Sequence, residues 1–280
     1  MENLGRAKTF FLFITIAAFT TMIGILSSFL FVAHLFTSSG SLEKMKKIDN
    51  STNLHNSFYD NFEGGIYSWN INSDGQISPN GKWKAAYTGY GSMGVARDNT
   101  TSGTTNNYFF EHPKTSKSSN ETRGSLVTTS KAFSDFKMTL NIKTVKQLRQ
   151  NSPPNPWETA WVFWHYTDRF HQYGLLLKTN GFQIEKKDNN NRCDACEIYL
   201  VDVSHPKVKL GQWQTITLRV TNSASDTPHI KVWINGVKAA DFVDKKIHQP
   251  NSPQLSRGYV GLYCEDSLVN FDNVKINAIQ

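Results

Sequence analysis

The segment Phe136-Lys-Met-Thr-Leu-Asn-Ile-Lys143 alternates strictly between apolar and polar side chains. Phe136, Met138, Leu140 and Ile142 take every second position, and Lys, Thr and Asn residues lie between them. Successive side chains of a strand point to opposite faces of its sheet. The pattern therefore predicts a β-strand with one buried face and one solvent-facing face.

The same alternation recurs along the chain between turn signals. It is clear in 215–220 and in 230–238, where Asn235-Gly separates one strand from its antiparallel partner. No long stretch carries a helical period. Many short strands with one apolar face each predict an all-β fold, a two-sheet antiparallel jelly-roll sandwich. The turn signals are Glu63-Gly-Gly, Ser73-Asp-Gly, Pro79-Asn-Gly, Asn180-Gly, Asn235-Gly and Arg257-Gly.

The N-terminal region has a different composition. Residues 9–42 contain no Asp, Glu, Lys or Arg, and most of residues 10–36 are apolar. At a rise of about 1.5 Å per residue such a run is long enough to cross a bilayer as a helix. The sequence predicts a cytoplasmic segment at 1–8, a transmembrane anchor at 9–36, a polar linker at 37–57 and a folded domain at 58–280. A cleaved signal peptide is the alternative to the anchor.

Three Asn-x-Ser/Thr sequons bear on the orientation, because such sites are glycosylated only in exported chains. They are Asn50, Asn99 and Asn120. The basic residues on the two sides of the apolar run do not decide the orientation, and long C-terminal domains translocate largely regardless of charge. The prediction is a single-pass protein of the cell membrane with its C-terminal domain outside.

The net charge limits the classes of partner. With 30 basic and 23 acidic residues the chain carries +7 at pH 7. The basic residues form only short runs, without interleaved aromatic side chains, which argues against a nucleic-acid partner. A positive surface would attract an anionic glycan or a lipid headgroup.

A proline-containing segment, 147–158, leads into the most aromatic stretch of the sequence, Trp161-Val-Phe-Trp-His-Tyr166. Three prolines exclude 147–158 from a strand interior, and a loop of this length in a compact domain is often functional. Strict alternation places Trp161, Phe163 and His165 on one face and Val162, Trp164 and Tyr166 on the other. One face must serve the core. The other is a candidate saccharide platform, since aromatic rings cover the apolar side of a pyranose. The burial of both tryptophans under the loop is the alternative.

Several of these segments together resemble one superfamily. They are 133–142, 161–173, Gly211-Gln-Trp-Gln-Thr-Ile216, Val232-Trp-Ile-Asn-Gly-Val237, Gly258-Tyr-Val-Gly-Leu-Tyr263 and Phe271-Asp-Asn-Val-Lys-Ile276. The chain resembles the concanavalin A-like lectin/glucanase superfamily, and within it the laminin-G-like and 3-keto-disaccharide hydrolase type domains, also labelled family 16 glycoside hydrolase-like. The resemblance covers roughly residues 58–280. It implies a jelly roll in which the N- and C-terminal strands are neighbours.

The predicted function is the binding of a polysaccharide or surface glycan by the exported domain. The candidate binding residues are Trp157, Trp161, Trp164, His165, Tyr166, His171, Tyr173 and Glu185. A glycoside hydrolase or polysaccharide lyase is the first alternative, with Glu158, Asp168 and Glu185 as candidate catalytic acids. The Glu-x-Asp-x-x-Glu motif of family 16 glucanases is absent from the sequence. A cell-surface adhesion or structural protein is the second alternative.

Calcium is the candidate cofactor. Many members of the superfamily hold this ion where the terminal strands meet, and Asp60, Glu63 and Asp272 are the acids placed to ligate it there. The alternative is that these acids are ordinary turn and strand-end residues.

The three cysteines cannot all pair within one chain. A disulfide is the default outside the cell, and we expect a bridge between Cys193 and Cys196, with Cys264 buried as a small apolar residue. A zinc site with all three as ligands is the alternative.

Overall fold

The computed structural model describes residues 57–69, 74–98, 106–188, 196–223, 227–245 and 255–279. Within these residues the chain forms sixteen β-strands and no α-helix, and the strands make two antiparallel sheets. The predicted two-sheet antiparallel sandwich is confirmed in this part of the chain.

The first sheet has nine strands. They are β1 (Ser57–Asp60), β2 (Tyr67–Trp69), β4 (Ser92–Asp98), β5 (Asn106–His112), β7 (Phe136–Gln147), β12 (Gln214–Asn222), β13 (Pro228–Ile234), β14 (Val237–Val243) and β16 (Ser267–Ala278). Their order is β14-β13-β12-β7-β16-β5-β4-β2, and β1 also pairs with β16.

The second sheet has seven strands. They are β3 (Trp83–Tyr87), β6 (Gly124–Phe133), β8 (Ala160–Asp168), β9 (His171–Lys178), β10 (Gly181–Asp188), β11 (Ile198–Val203) and β15 (Gly258–Glu265). Their order is β11-β10-β9-β8-β15-β6-β3. This sheet carries the aromatic segment of the sequence.

The main core lies between the two sheets. The apolar positions of β7 that alternation selected are all buried in it, beginning with Phe136 and ending with Ile142. From the other sheet, β10 contributes Phe182 and Ile184 to the same cluster. The residues that alternate with them, Gln183 and Glu185, face away from the core on the opposite side of the sheet.

The terminal strands are neighbours, as the resemblance implied. β1 pairs antiparallel with β16, so that Phe58 lies opposite Ile276 and Asp60 opposite Val274. The Asp60 carboxylate is buried and accepts a hydrogen bond of 2.8 Å from the indole Nε1 of Trp83 in the other sheet. This bond connects the two sheets where the chain ends meet.

A bulge in β8 interrupts the alternation of the aromatic segment. The register between β8 and β9 shifts between Trp164 and Asp168, and His165 has a φ of 48°, in the left-handed region that L residues seldom adopt. A Cβ atom on Gly258 of β15 would lie 2.3 Å from the His165 carbonyl carbon, so the bulge requires glycine at that position. His165 and Trp164 both point into the core, and Tyr166 turns to the outer face.

Three parts of the predicted organisation, 1–8, 9–36 and the linker up to residue 56, lie outside the described residues. Within the described residues no helix is long and apolar enough to cross a membrane.

Candidate functional site

A groove of about 420 Å³ lies on the outer face of the seven-stranded sheet, the face turned away from the main core. Strands β9, β10, β11 and β15 and the proline-containing segment before β8 form its walls. It is lined by Trp157, Trp161, Leu176, Lys178, Asn180, Gln183, Glu185, Glu197, Tyr199, Asp202 and Glu265.

Aromatic side chains packed on the outer face form one side of this groove. The ring of Trp161 meets that of Tyr263 edge to face at 5.0 Å, and Phe163 stacks on Tyr263 at 4.9 Å. These residues form a second, smaller apolar cluster with Tyr166 and Leu176. Trp161 is only 7% exposed, so the cluster presents ring edges rather than open faces to a ligand.

The exposed aromatic surface comes instead from the rim. Trp157 is 41% exposed on one side of the groove, and Tyr199 of β11 is 58% exposed on the other. Hydrogen bonds hold both the side chain and the backbone of Trp157. Its indole Nε1 donates to Glu265 Oε1 at 3.1 Å, and its carbonyl oxygen accepts a 2.7 Å bond from Trp161 Nε1.

The segment that carries Trp157 is fixed from below by a buried ion-pair network. Arg149 Nε lies 2.5 Å from Glu158 Oε1, and Arg149 Nη2 lies 2.7 Å from Asp266 Oδ2. All three side chains are excluded from solvent. Separating one of these charges from its partner at this depth would cost several kcal/mol. The network therefore holds the segment that carries Trp157 in a fixed position.

Polar side chains lie on the floor between the two rim aromatics. Lys178 Nζ donates to Gln183 Oε1 at 3.0 Å and to Asp202 Oδ1 at 2.6 Å. Glu185 is only 2% exposed, and its Oε1 has no hydrogen-bond partner among the described residues. Oε1 itself is enclosed, so a ligand in the groove would bond to this carboxyl group where it lines the groove, at a site that is already largely desolvated.

Gly174 makes room for this carboxyl group. It lies between Phe163 of β8 and Glu185 of β10 in the paired strands. A Cβ atom on Gly174 would stand 3.1 Å from the Phe163 ring and 3.2 Å from Glu185 Cγ. The absence of a side chain there lets Glu185 lie flat along the sheet.

Two carboxyl groups of the groove have raised pKa values. Burial, with the nearby Glu197 carboxylate, raises the pKa of Glu185 to about 8. Burial also raises the pKa of Glu265 to about 7, although the donors Tyr263 and Trp157 act in the opposite direction. Both groups therefore hold or exchange a proton near neutral pH, which is typical of carboxyl groups at functional sites.

Of the predicted binding residues, Trp157, Trp161 and Glu185 line the groove. Trp164, His165 and Tyr173 do not, because each is fully buried on the core side of the sheet. Trp164 stacks on Tyr173 at 5.4 Å. The ring nitrogens of His165 lie 2.5 Å and 2.9 Å from backbone carbonyl oxygens. These three residues are corrected from candidate binding groups to core residues, because their side chains lie on the core side of the sheet and do not line the groove.

Tyr166, His171 and Asp168 lie away from the groove. Tyr166 and Asp168 line a different depression, of about 370 Å³, near the turn between β8 and β9. His171 Nδ1 lies 2.9 Å from Asp168 Oδ1 within that turn. Among the candidate catalytic acids, Glu158 accepts hydrogen bonds from Arg149 and Asn155. Of the three candidates, only Glu185 lines the groove.

The candidate calcium acids serve other contacts. Asp60 accepts bonds from Trp83 and Lys82, and Glu63 Oε1 accepts the backbone N–H of Asn107 at 2.8 Å. Asp272 Oδ2 accepts a bond from Asn106 at 3.3 Å. No group of three or more His, Cys, Asp or Glu side chains in the described part of the chain is arranged to hold a metal ion.

The predicted covalent modifications fall partly outside the described residues. Asn50, Asn99 and Cys193 lie there, whereas Asn120 is exposed in a turn. Cys196 is disulfide-bonded, and Cys264 is free and buried.

Glu265 is the main groove residue that sequence reasoning missed. In the sequence, the neighbouring segment Gly258–Tyr263 contributes only to the superfamily resemblance. Alternation continued to the end of β15 gives the signal: Val260, Leu262 and Cys264 face the core, so Tyr263 and Glu265 face outward. Tyr199 and Asp202 lie on β11, whose sequence carries no clear alternation.

This architecture defines a class: an antiparallel two-sheet β-sandwich of the concanavalin A-like type, with a groove on the outer face of one sheet. Residues 68–277 match the family described as the 3-keto-alpha-glucoside-1,2-lyase-like domain, and the chain belongs to this family. The expected superfamily is thereby confirmed.

Two solved structures show a similar arrangement of strands. The carbohydrate binding module CBM66 from Bacillus subtilis is 13% identical, with a TM-score of 0.46 over 70% of this chain and 96% of that one. The endo-beta-1,4-glucuronan lyase from the fungus Trichoderma reesei is 10% identical, with a TM-score of 0.43 over 77% of this chain and 95% of that one. A comparison with curated proteins gives no match.

Proposed function

We propose that the domain binds a polysaccharide or surface glycan in the groove between Trp157 and Tyr199. The observation that carries this proposal is the buried Glu185 carboxyl group, whose Oε1 lacks a partner among the described residues and lies between two exposed aromatic rings. Saccharide sites combine these elements: aromatic faces for the apolar side of a sugar ring, and placed polar groups for its hydroxyls.

The groove supplies the polar groups as well. Gln183, Lys178 and Asp202 offer amide, ammonium and carboxylate groups along one side. Their mutual hydrogen bonds hold them in position before a ligand arrives, which lowers the entropy cost of binding. Membership of a family named for a glucoside lyase supports a saccharide as the ligand class.

The cellular setting belongs to the same proposal. The apolar run 9–36 anchors the chain in the cell membrane in a single pass, and the sandwich faces outside. The composition of that run and the exposure of the Asn120 sequon support this arrangement.

A second function, glycan-acting catalysis in the same groove, is favoured by the raised pKa values of Glu185 and Glu265. In a 1,2-elimination from a 3-keto-glucoside, a base removes the proton on C2, the bond from C1 to the glycosidic oxygen breaks, and an acid protonates the departing oxygen. Two carboxyl groups that titrate near neutral pH are suited to these two proton transfers.

A glycan array with the full-length protein in detergent tests the proposal, with product analysis by mass spectrometry on each bound glycan and on a 3-keto-glucoside. Binding without products is expected for a binding domain. New unsaturated or reducing ends, lost in Glu185→Gln, would establish catalysis instead. An array without any bound glycan, together with an unchanged 3-keto-glucoside, would contradict both functions.

A further inference from the structure

Acidic side chains outnumber basic ones in the lining of the groove, although the chain as a whole is basic. The chain carries +7, yet four acids line the groove: Glu185, Glu197, Asp202 and Glu265. Lys178 is the one basic residue among its described lining residues. The anionic glycans that the net charge would attract to the protein surface therefore meet carboxyl groups at the groove itself.

The cations near the floor are already paired. Lys178 Nζ lies 2.6 Å from Asp202 Oδ1, and Lys187 Nζ, next along β10, lies 2.7 Å from Glu197 Oε1. The Glu265 carboxyl group accepts bonds from Trp157 and Tyr263. These pairings leave Glu185 as the buried acid of the groove whose Oε1 is without a partner among the described residues.

A positively charged group of the ligand would complete this arrangement. A metal ion fits less well, because no three of the described His, Cys, Asp or Glu side chains are arranged to hold one. The groove is also too large for a single bare ion and has an aromatic ring on each rim. An ammonium group on a sugar ring meets both features: the amine donates to the carboxylate, and the ring packs on Trp157 or Tyr199.

We propose that the groove takes an amino-sugar unit, with the protonated amine of the sugar bonded to Glu185 and the ring packed on Trp157 or Tyr199. This inference rests on the proposed saccharide-binding function and specifies its ligand class. Sugars that carry carboxylate or sulfate groups are disfavoured, because the lysines at the groove, Lys178 and Lys187, are already paired with Asp202 and Glu197.

The binding of an amino sugar should also change the number of protons that the protein holds. The charged groups that act on Glu185 are Glu197, just before β11, Lys187 from β10 and Glu265 from β15. Burial, together with the Glu197 and Glu265 carboxylates, outweighs Lys187 and raises the pKa of Glu185 to about 8 in the free protein. A bound ammonium favours the ionised form, so binding an amino sugar releases a proton, whereas binding a neutral sugar does not.

The test uses three oligosaccharides of equal length: a glucosamine oligomer, its N-acetylated counterpart and a glucuronate oligomer. Affinities for the full-length protein are measured by calorimetry at about pH 5.5, where the sugar amine is protonated and Glu185 still holds its proton, in two buffers of different ionisation enthalpy. We expect the glucosamine oligomer to bind about tenfold or more tightly than the N-acetylated one, with proton release, and the glucuronate oligomer to bind weakest.

Two variants assign the effect. Glu185→Gln keeps the shape and a hydrogen-bonding amide, and should remove the preference for the amine while leaving affinity for the N-acetylated oligomer within about threefold. Asp168→Asn removes an acid of the same sheet outside the groove and should change nothing. Equal or tighter binding of the N-acetylated or glucuronate oligomer would overturn the inference and leave saccharide binding standing. If none of the three oligosaccharides binds, and no glycan binds on the array, both the amino-sugar inference and the proposed saccharide-binding function would be overturned.

Discussion

The indole N–H of Trp157 donates a hydrogen bond of 3.1 Å to Glu265 Oε1, and Glu265 Oε2 accepts a second bond from the hydroxyl of Tyr263. One carboxyl group thus connects an exposed rim residue to the aromatic cluster on the outer face of the sheet. Since Trp157 lies on a segment without regular secondary structure, this bond sets the direction of its ring.

Replacing Glu265 with Ala should therefore weaken saccharide binding through Trp157. The indole loses its acceptor and gains rotamer freedom, which binding must then restrict, and we expect about a tenfold loss of affinity. Glu265→Gln keeps an acceptor oxygen and should retain affinity within about threefold. NMR relaxation of the Trp157 indole N–H, whose signal is separate from those of the other six tryptophans, checks the mobility directly, and unchanged relaxation in Glu265→Ala would contradict the positioning role.

Removing the guanidinium of Arg149 should destabilise the domain strongly. Arg149→Ala leaves Glu158 and Asp266 buried without their cation, and such a change costs about 3 to 5 kcal/mol. Arg123→Ala is the matched control, because its pair with Glu121 is solvent-accessible and exposed ion pairs contribute little to stability. Urea denaturation followed by circular dichroism measures the free energy of unfolding of both variants. Equal losses of stability would contradict the role of the buried network.

Much of the fold was predictable because it rests on local alternation. In β7 the apolar and polar positions sort to the core and solvent faces as their spacing predicts. In β10 the same rule separates Phe182 and Ile184 from Gln183 and Glu185. The neighbouring terminal strands were implied by the superfamily resemblance and not by any pattern within the strands themselves.

The faces of β8 were not predictable by the same rule. Both faces of this strand are aromatic or apolar, and the bulge after Trp164 moves His165 to the core and Tyr166 to the outer face. A bulge changes the alternation by one residue without leaving a strong sequence signal, since Gly258, which accommodates it, lies in a different strand. The groove itself depends on Glu265, whose proximity to Trp157 arises only in the folded chain.

The two tryptophans should respond in opposite ways to truncation. Trp164 is fully buried between the sheets, and Trp164→Ala should cost about 3 to 5 kcal/mol of stability. Trp157 is 41% exposed, and Trp157→Ala should leave stability within about 1 kcal/mol while reducing affinity for saccharide. Denaturant midpoints and binding titrations on both variants test this, and a stable Trp164→Ala protein would contradict its placement in the core.

Stability should fall as the pH rises from about 5 to about 8. The pKa of Glu185 is raised from its ordinary 4.5 to about 8, so between these values the folded protein holds a proton that the unfolded chain has released. Folding is therefore favoured most at the acidic end of this interval, and Glu265, with a pKa of about 7, acts in the same direction.

We expect a loss of about 1 to 3 kcal/mol in the free energy of unfolding across this interval. Glu185→Gln should flatten the profile, because an amide does not titrate. Thermal or urea unfolding at closely spaced pH values provides the measurement. A wild-type profile that rises with pH would show that these carboxyl groups are ionised in the folded protein.

The most direct measurement is the change in affinity for the best glycan of the array when the two rim aromatics are removed one at a time. If the groove is the binding site, Trp157→Ala and Tyr199→Ala each lower affinity by about tenfold or more, while Tyr59→Ala, which removes an exposed tyrosine of the nine-stranded sheet, leaves it unchanged. Unchanged affinity in both rim variants would contradict the account.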